Sequence, residues 1–433
     1  MIAADPAGLG DSSARSKPEE PGDSLSRREK TFTQRPSRPD ARAWMRIAFA
    51  MFAVGWGANQ FSPMLIVYRH ELNLSAAAVA GLFVIYAATL VPGLLVGGPA
   101  SDRYGRRLVL VPFVVLSPVA TLLLIVGPRD LAVIAAGRAL AGLCSGVVFS
   151  SATAWVQDLS LAGNAVAPYT GADPAAGARR AALALTAGFG LGPVVAAGFA
   201  QWAGDPLQVP YLPHLVIGAV AAVAAMSVPG ARAVREPAAR RGWPPTAVRS
   251  WRFWLAVAPG APLVFGSISL AIVVLPEDVT SAKTLSAGFA GLMTMLAFTA
   301  GVAAQSLARR IAAANGLISG LACAAVGTGL GVAAVYGGQD RAVAGLAAVF
   351  LGAAYGLCLV CGLRQAERLA SASDRGAVVA CYYALAYVGF AAPYLAAGLG
   401  ALAGKAAALA ILAIAALVLS LWTAGYAAIT GVR

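Results

Sequence analysis

The sequence predicts an all-α membrane protein of twelve transmembrane helices in two six-helix halves, and three observations carry that reading. Of its 433 residues, 59% are hydrophobic and only 12% charged, against about 25% charged in soluble chains, and the mean hydropathy is +0.73. After Arg42 the chain is a succession of apolar runs of about 20 residues, the length that crosses roughly 30 Å of hydrocarbon. Short polar turns break these runs, and their basic residues fall heavily on alternate turns.

Taken in order, the spans are predicted at Trp44–Tyr68, Ser75–Pro99, Leu108–Gly127, Leu131–Val156, Ala181–Gly204, Val209–Val228, Arg252–Leu275, Ser286–Leu307, Asn315–Tyr336, Ala342–Leu363, Ala377–Leu399 and Ala406–Thr430. The charged turn Gly98–Arg107 separates the second from the third. A long insert, Leu159–Ala178, separates the fourth from the fifth. The fifth to eighth spans are rich in Ala, Gly and Pro, which softens their boundaries. The Pro- and Arg-rich stretch Pro229–Arg252 is the natural joint between halves. The domain reading is therefore a tail over 1–43, a first half over 44–229, a linker over 230–251 and a second half over 252–433. The tail is rich in Ser, Pro, Arg and acids, lacks an apolar signal region, and is expected to be disordered and cytoplasmic.

The net charge of +13 raises the question of a nucleic-acid partner, and its distribution answers it. Arg103, Arg106, Arg107, Arg179, Arg180, the cluster from Arg232 to Arg252, Arg309, Arg310, Arg364, Arg368 and Arg375 all lie on turns on the side of the basic tail. The opposite turns hold only Arg69, Arg129, Lys283, Arg341 and Lys405. This is the positive-inside bias; it places both termini in the cytoplasm, in an inner or plasma membrane, and leaves no excess for nucleic acid. The five cysteines fall inside spans and read as packing; Cys358 and Cys361 have a metal-like spacing but no second ligand pair. No metal and no cofactor are expected.

The stretch G-P-A-S-D-R-Y-G-R-R from Gly98 to Arg107 is the most informative in the chain. Its pattern of Gly98, Asp102, Arg103, Gly105, Arg106 and Arg107 resembles the loop between helices two and three of the major facilitator superfamily of secondary transporters. Gly301–Arg310 keeps the leading glycine and the final arginine pair at the same spacing, with Gln305 and Ala308 replacing Asp102 and Gly105, as a duplicated half would. Gly98 removes a side chain where helices approach. Asp102 can pair with Arg106 and face a helix N-terminus. The resemblance implies that this N-terminus is that of the eleventh helix, near Gly376, so that Asp102 latches the halves at their cytoplasmic rim. The alternative is a purely topological anchor.

Further resemblances follow. Arg138 with Gly142 and Gly146 is similar to the superfamily's fourth-helix motif, in which small residues four apart pack tightly. Arg138 lies roughly 10 Å into its helix, where it either faces a cavity or snorkels outward; Asn59 and Gln60 lie at comparable depth. Gly188, Gly192, Pro193 and Gly198 resemble the glycine-proline motif of the twelve-helix drug/metabolite:proton antiporter branch, although Ala196 and Ala197 stand where glycines are commoner. Asp158 with Arg179, and Glu367 with Asp374 and Arg375, resemble the acid and arginine pairs of the inward loops.

No Asp or Glu is expected mid-membrane, and His70 and His214 are read near the outer surface. The rim acids Asp102, Asp158, Glu277, Asp278 and Glu367 are the remaining candidates for proton coupling. A cavity lined by Asn59, Gln60, Tyr86, Trp155, Tyr382, Tyr383 and Tyr387 would suit hydrophobic or amphipathic solutes, with interhelical packing the alternative for the tyrosines. The reading is a monomeric, non-enzymatic secondary carrier of a small organic molecule, exporting a drug-like compound or metabolite by alternating access, with proton exchange left open. Uptake or facilitated diffusion is the alternative, and a non-transporting membrane receptor the competing class.

Overall fold

The computed structural model describes residues 42–165, 176–230, 246–279, 286–370 and 375–430. Among the described residues there are helices and no strands. Twelve spans cross in sequence. In the first half, α1 is Ala43–Asn59 continued by Phe61–Glu71, α2 Ala76–Tyr104, α3 Arg106–Val126, α4 Leu131–Ala165, α5 Ala176–Trp202 and α6 Val209–Met226. In the second, α7 is Trp251–Val279, α8 Ser286–Ala308, α9 Ala313–Tyr336, α10 Arg341–Leu369, α11 Arg375–Val388 continued through Gly389–Ala391 to Ala392–Ala403, and α12 Lys405–Thr430. Eleven helices of the described residues are long and apolar enough to cross a membrane; the divided α1 is the twelfth. Most of the tail, the centre of the insert after α4 and most of the 230–251 linker lie outside the described residues. The side where Arg42 and Thr430 lie is called the tail side below, and its opposite the far side.

Prolines explain where spans depart from a regular helix. A proline has no N–H for the carbonyl four residues earlier, so the ladder loosens there. α1 steps at Gln60 because Pro63 cannot serve Asn59. α7 carries a 3₁₀ turn over Ala258–Gly260 below Pro262 and a π-helical stretch over Leu270–Val274 below Pro276. α11 tightens over Gly389–Ala391 below Pro393. In α5, Pro193 leaves the carbonyl of Phe189 to accept from Asn59 Nδ2 at 2.7 Å. The freed carbonyl becomes a link between α1 and α5.

Glycines set the seams. A Cβ at Gly142 would lie 2.2 Å from the carbonyl oxygen of Tyr86, and one at Gly146 2.2 Å from that of Leu90, so α2 and α4 touch backbone to backbone. In a bilayer such close approach supplies the packing that apolar burial cannot. Gly188 meets the Phe52 carbonyl in the same way, and Gly192 that of Trp56. Two expected glycines do not take part. A Cβ at Gly98 would make only ordinary contact with Ser150, whereas its neighbour Gly97 would put one 2.7 Å from Val147 Cα; one residue turns a helix by about 100°, and Gly97 is the one facing α4. Gly198 meets only Trp202 of its own helix. Ala197, in contrast, fills the space left by Gly291 of α8 across the boundary between halves.

Candidate functional site

A cavity of about 430 Å³ lies between the two halves. Its lining comes from α1, α2, α4 and α5 on one side and α7, α8, α10 and α11 on the other. Burial falls toward the tail side along α2, α4, α7 and α10. On α2, Phe83, Tyr86 and Leu90 are buried, Val91 and Leu94 half-buried and Leu95 exposed. Phe149 gives way to half-buried Ser150 and Thr153 on α4, Tyr355 to Leu359 on α10, and Ile272 and Ile268 to Phe265 on α7. The cavity therefore opens toward the tail side.

Its walls form a belt of aromatic rings. Phe149 meets Phe189 at 5.5 Å, Phe189 meets Phe298 at 5.7 Å, and Phe298 meets Tyr355 at 6.0 Å. Phe265 stacks on Tyr387 at 4.6 Å and on Phe390 at 4.7 Å. Phe83 and Tyr86 stand edge-on to Phe390, at 5.4 and 6.5 Å, across the boundary between halves. Tyr383 stacks on Tyr387 at 6.3 Å. Offset and edge-on rings at these separations attract one another by about 0.5–1.5 kcal/mol beyond area burial. The sequence reading found the three tyrosines Tyr86, Tyr383 and Tyr387. It missed the phenylalanines and Tyr355, because an aromatic residue in an apolar span carries no mark of the level it occupies.

Arg138 is 1% exposed and lines this cavity. Its Nη1 donates to the Ala58 carbonyl at 3.2 Å and its Nε to that of Leu82 at 3.4 Å. The guanidinium lies between the faces of Phe61 and Tyr86, at 4.3 and 4.5 Å. Each face is worth about 0.5–2 kcal/mol, against several kcal/mol for desolvating an ion. Among the described residues no carboxylate pairs with it, and no other lining residue carries a formal charge. The Tyr86 hydroxyl beside it is buried without a hydrogen-bond partner, lying near Ser145 but outside bonding geometry.

The expected company of Arg138 is arranged differently. Asn59 lines the cavity, yet its amide is held by Phe189 and by the hydroxyl of Ser62 at 2.7 Å. Gln60 points away, as the next residue of a helix must. It donates to Thr121 at 3.1 Å, and Thr121 bonds His214 Nδ1 at 2.7 Å while His214 Nε2 lies 3.1 Å from the Ala53 carbonyl. His214 was read near the outer surface. It is instead fully buried against Gly57, whose missing side chain makes room for the ring. It stands five residues into α6, whose start (Pro210 and Tyr211) is itself packed inside the bundle. Trp155 and Tyr382 do not line the cavity either: Trp155 is packed in the first half, and Tyr382 donates to the Cys358 carbonyl at 2.7 Å.

The charged turn is knit within the first half. Gly105, at φ 101°, joins α2 to α3 in a conformation only glycine adopts without strain. Arg106 pairs with Asp102, donates to Ser101 Oγ at 2.8 Å and reaches Asp158 at 3.1 Å. Arg107 donates to the Met226 carbonyl at 2.8 Å. Arg103 lies over Tyr104 at 5.3 Å. The Asp102 side chain is 64% exposed and has no ion pair to the second half among the described residues. Glu367 is exposed at the end of α10. Asp374 and the side chain of Arg375 lie outside the description.

The far side is different. There Arg69 of α1 forms an ion pair with Glu277 of α7, joining the halves, and Asp278 beside it bonds Lys405 Nζ at 2.7 Å. Among the described residues no group of three or more His, Cys, Asp or Glu could hold a metal. Cys358 and Cys361 are free and buried, packed on Gly320 and Gly316 of α9.

Comparison with known proteins agrees with this architecture. Residues 47–260 match the family model of the Major Facilitator Superfamily. No match is found among curated proteins. The nucleoside transporter NupG superposes with a TM-score of 0.70 at 10% identity, covering 88% of this chain and 99% of its own. A peptide transporter POT in complex with sulfate superposes with a TM-score of 0.72 at 17% identity, over 89% and 94%. A bacterial homolog of the human lysosomal transporter Spinster, in an inward-facing, unoccupied conformation, gives 0.66 at 11% identity, over 89% and 97%. At these identities the likeness establishes the fold: an integral membrane transporter fold of the major facilitator type.

Proposed function

We propose that this chain is a secondary carrier that moves a small amphipathic organic molecule by alternating access. One observation carries the reading: a cavity shared by both halves opens to one side while cross-half contacts, Arg69 with Glu277 and Phe83 with Phe390, shut the other. A pore would be open to both sides, and a packed bundle to neither. With the basic turns placed in the cytoplasm, the tail-side opening loads from within. Together with the glycine-proline stretch of α5, that supports export of a drug-like compound or metabolite. Asp102 would then latch the tail-side rim when the cavity faces outward, and its exposure here fits the unlatched half of the cycle.

Among the described residues the lining has Arg138 as its sole formal charge and no acid to carry a proton, so coupling would have to run through a rim carboxylate. That same lining favours facilitated diffusion as the second reading. A substrate screen in proteoliposomes, with and without an imposed pH gradient, tests both. Saturable flux that responds to the gradient supports exchange, and gradient-independent flux supports diffusion. Ligand binding without any flux in sealed vesicles would make the protein a receptor and overturn the carrier reading.

A further inference from the structure

We infer that the cargo is an aromatic or amphipathic monoanion whose acidic group serves as the counter-ion of Arg138. The inference rests on the carrier reading and names the substrate class of that cavity. Four observations carry it. Arg138 is 1% exposed and borders the cavity, so bulk solvent reaches its charge only from the cavity side. Its protein partners are two carbonyl oxygens and two ring faces, all neutral. No carboxylate among the described residues reaches it. Every other lining side chain among the described residues is apolar, aromatic or a neutral polar group.

A buried guanidinium with unfilled donor capacity prefers a planar, bidentate acceptor, which a carboxylate provides. The belt from Phe149 round to Phe390 would hold the apolar body of the same molecule. A cationic cargo would meet repulsion from Arg138 and no acid to offset it. A polyanion would leave its second charge unpaired among rings. The cavity thus selects one negative charge on an apolar frame. A single negative charge carried outward also moves with an inside-negative membrane potential, so its export requires no titrating acid in the cavity.

The test uses the full-length protein and three probes with one carbon skeleton: phenylbutyrate, phenylbutyramide and phenylbutylamine. Apparent affinity is read from thermal stabilisation across a concentration series. The acid should bind about tenfold or more tightly than the amide, since an uncompensated buried charge is costly, and the amine should bind most weakly. Arg138→Gln should erase the acid's advantage, and Arg138→Lys, which keeps the charge, should retain part of it. In vesicles, acid efflux should rise when valinomycin and a potassium gradient make the loaded side negative, and amide flux should not. Equal affinity for acid and amide, preference for the amine, no binding of any probe, an advantage that survives Arg138→Gln or disappears in a folded Arg138→Lys, or potential-independent acid efflux would overturn the inference. Failure of the carrier reading is a separate result: cysteines placed in the cavity would then react from the same side in every condition.

Discussion

The two halves of the molecule share their seams and differ in their chemistry. Gly142 and Gly146 lie eleven and fifteen residues past Leu131, the start of α4; Gly352 and Gly356 lie eleven and fifteen past Arg341, the start of α10. Both pairs press backbone to backbone on a neighbouring helix, the first on Tyr86 and Leu90 of α2, the second on Ala297 and Gly301 of α8. Gly188 on Phe52 in the first half has its counterpart in Gly389 on Pro262 in the second. At the same register, seven residues in, the first half has Arg138 and the second Ala348. The last turn of α2 carries Asp102 where the last turn of α8 carries Gln305. Close packing between helices tolerates little drift, because a single methyl group would strike a carbonyl. Charge at these positions is under no such packing constraint. The cavity is therefore asymmetric inside a nearly symmetric frame.

The largest effect is expected at the shared seams. Gly146→Val and Gly352→Val should each lower stability by about 3 kcal/mol, read as lost folded yield or a lower melting midpoint; tolerance of either would mean the seams are not equivalent. Next comes the charge difference between turns. Asp102→Asn should lower transport roughly tenfold, the effect of about 1.4 kcal/mol, in a protein that still folds, while Gln305→Ala leaves flux near wild type. Equal effects would remove the switch role from Asp102. Smaller is the far-side pair: Glu277→Gln should shift the equilibrium toward the far-side-open state by up to about fivefold, the worth of a partly exposed ion pair near 1 kcal/mol. Charge exchange in a double Arg69→Glu, Glu277→Arg variant should restore it. The smallest effects are expected at Gly98→Ala and Gly198→Ala, within about 0.5 kcal/mol of wild type, because neither position faces a neighbouring backbone.

Spans were legible in the sequence because hydropathy over a membrane-length window needs no knowledge of partners. The interruptions were less so. Pro63, Pro262, Pro276 and Pro393 are visible, but a window average hides the missing bond four residues earlier. Neighbour pairs on a helix defeated the reading of facing: of Gly97 and Gly98 it is the first that meets α4, and of Asn59 and Gln60 only the first lines the cavity. Position along the chain did not show that His214 is enclosed, since the groups that enclose it come from α1 and α3. Arg138 was legible as a site because an arginine within an apolar span demands an explanation. Its neutral surroundings were not, because the carbonyls and rings that hold it come from separate helices.

Alternating access requires the two halves to exchange which end is shut. Spin-label distances in lipid nanodiscs test this most directly, on a cysteine-free background carrying one of two pairs. Labels at Tyr104 and Leu307 span the tail side, and labels at Glu71 and Leu402 the far side; all four positions are exposed. Wild type is expected to give a long tail-side and a short far-side distance, and Glu277→Gln to move population toward the reverse in both pairs together. Distances that stay fixed in both pairs, or that lengthen at both ends at once, would contradict alternating access by this protein.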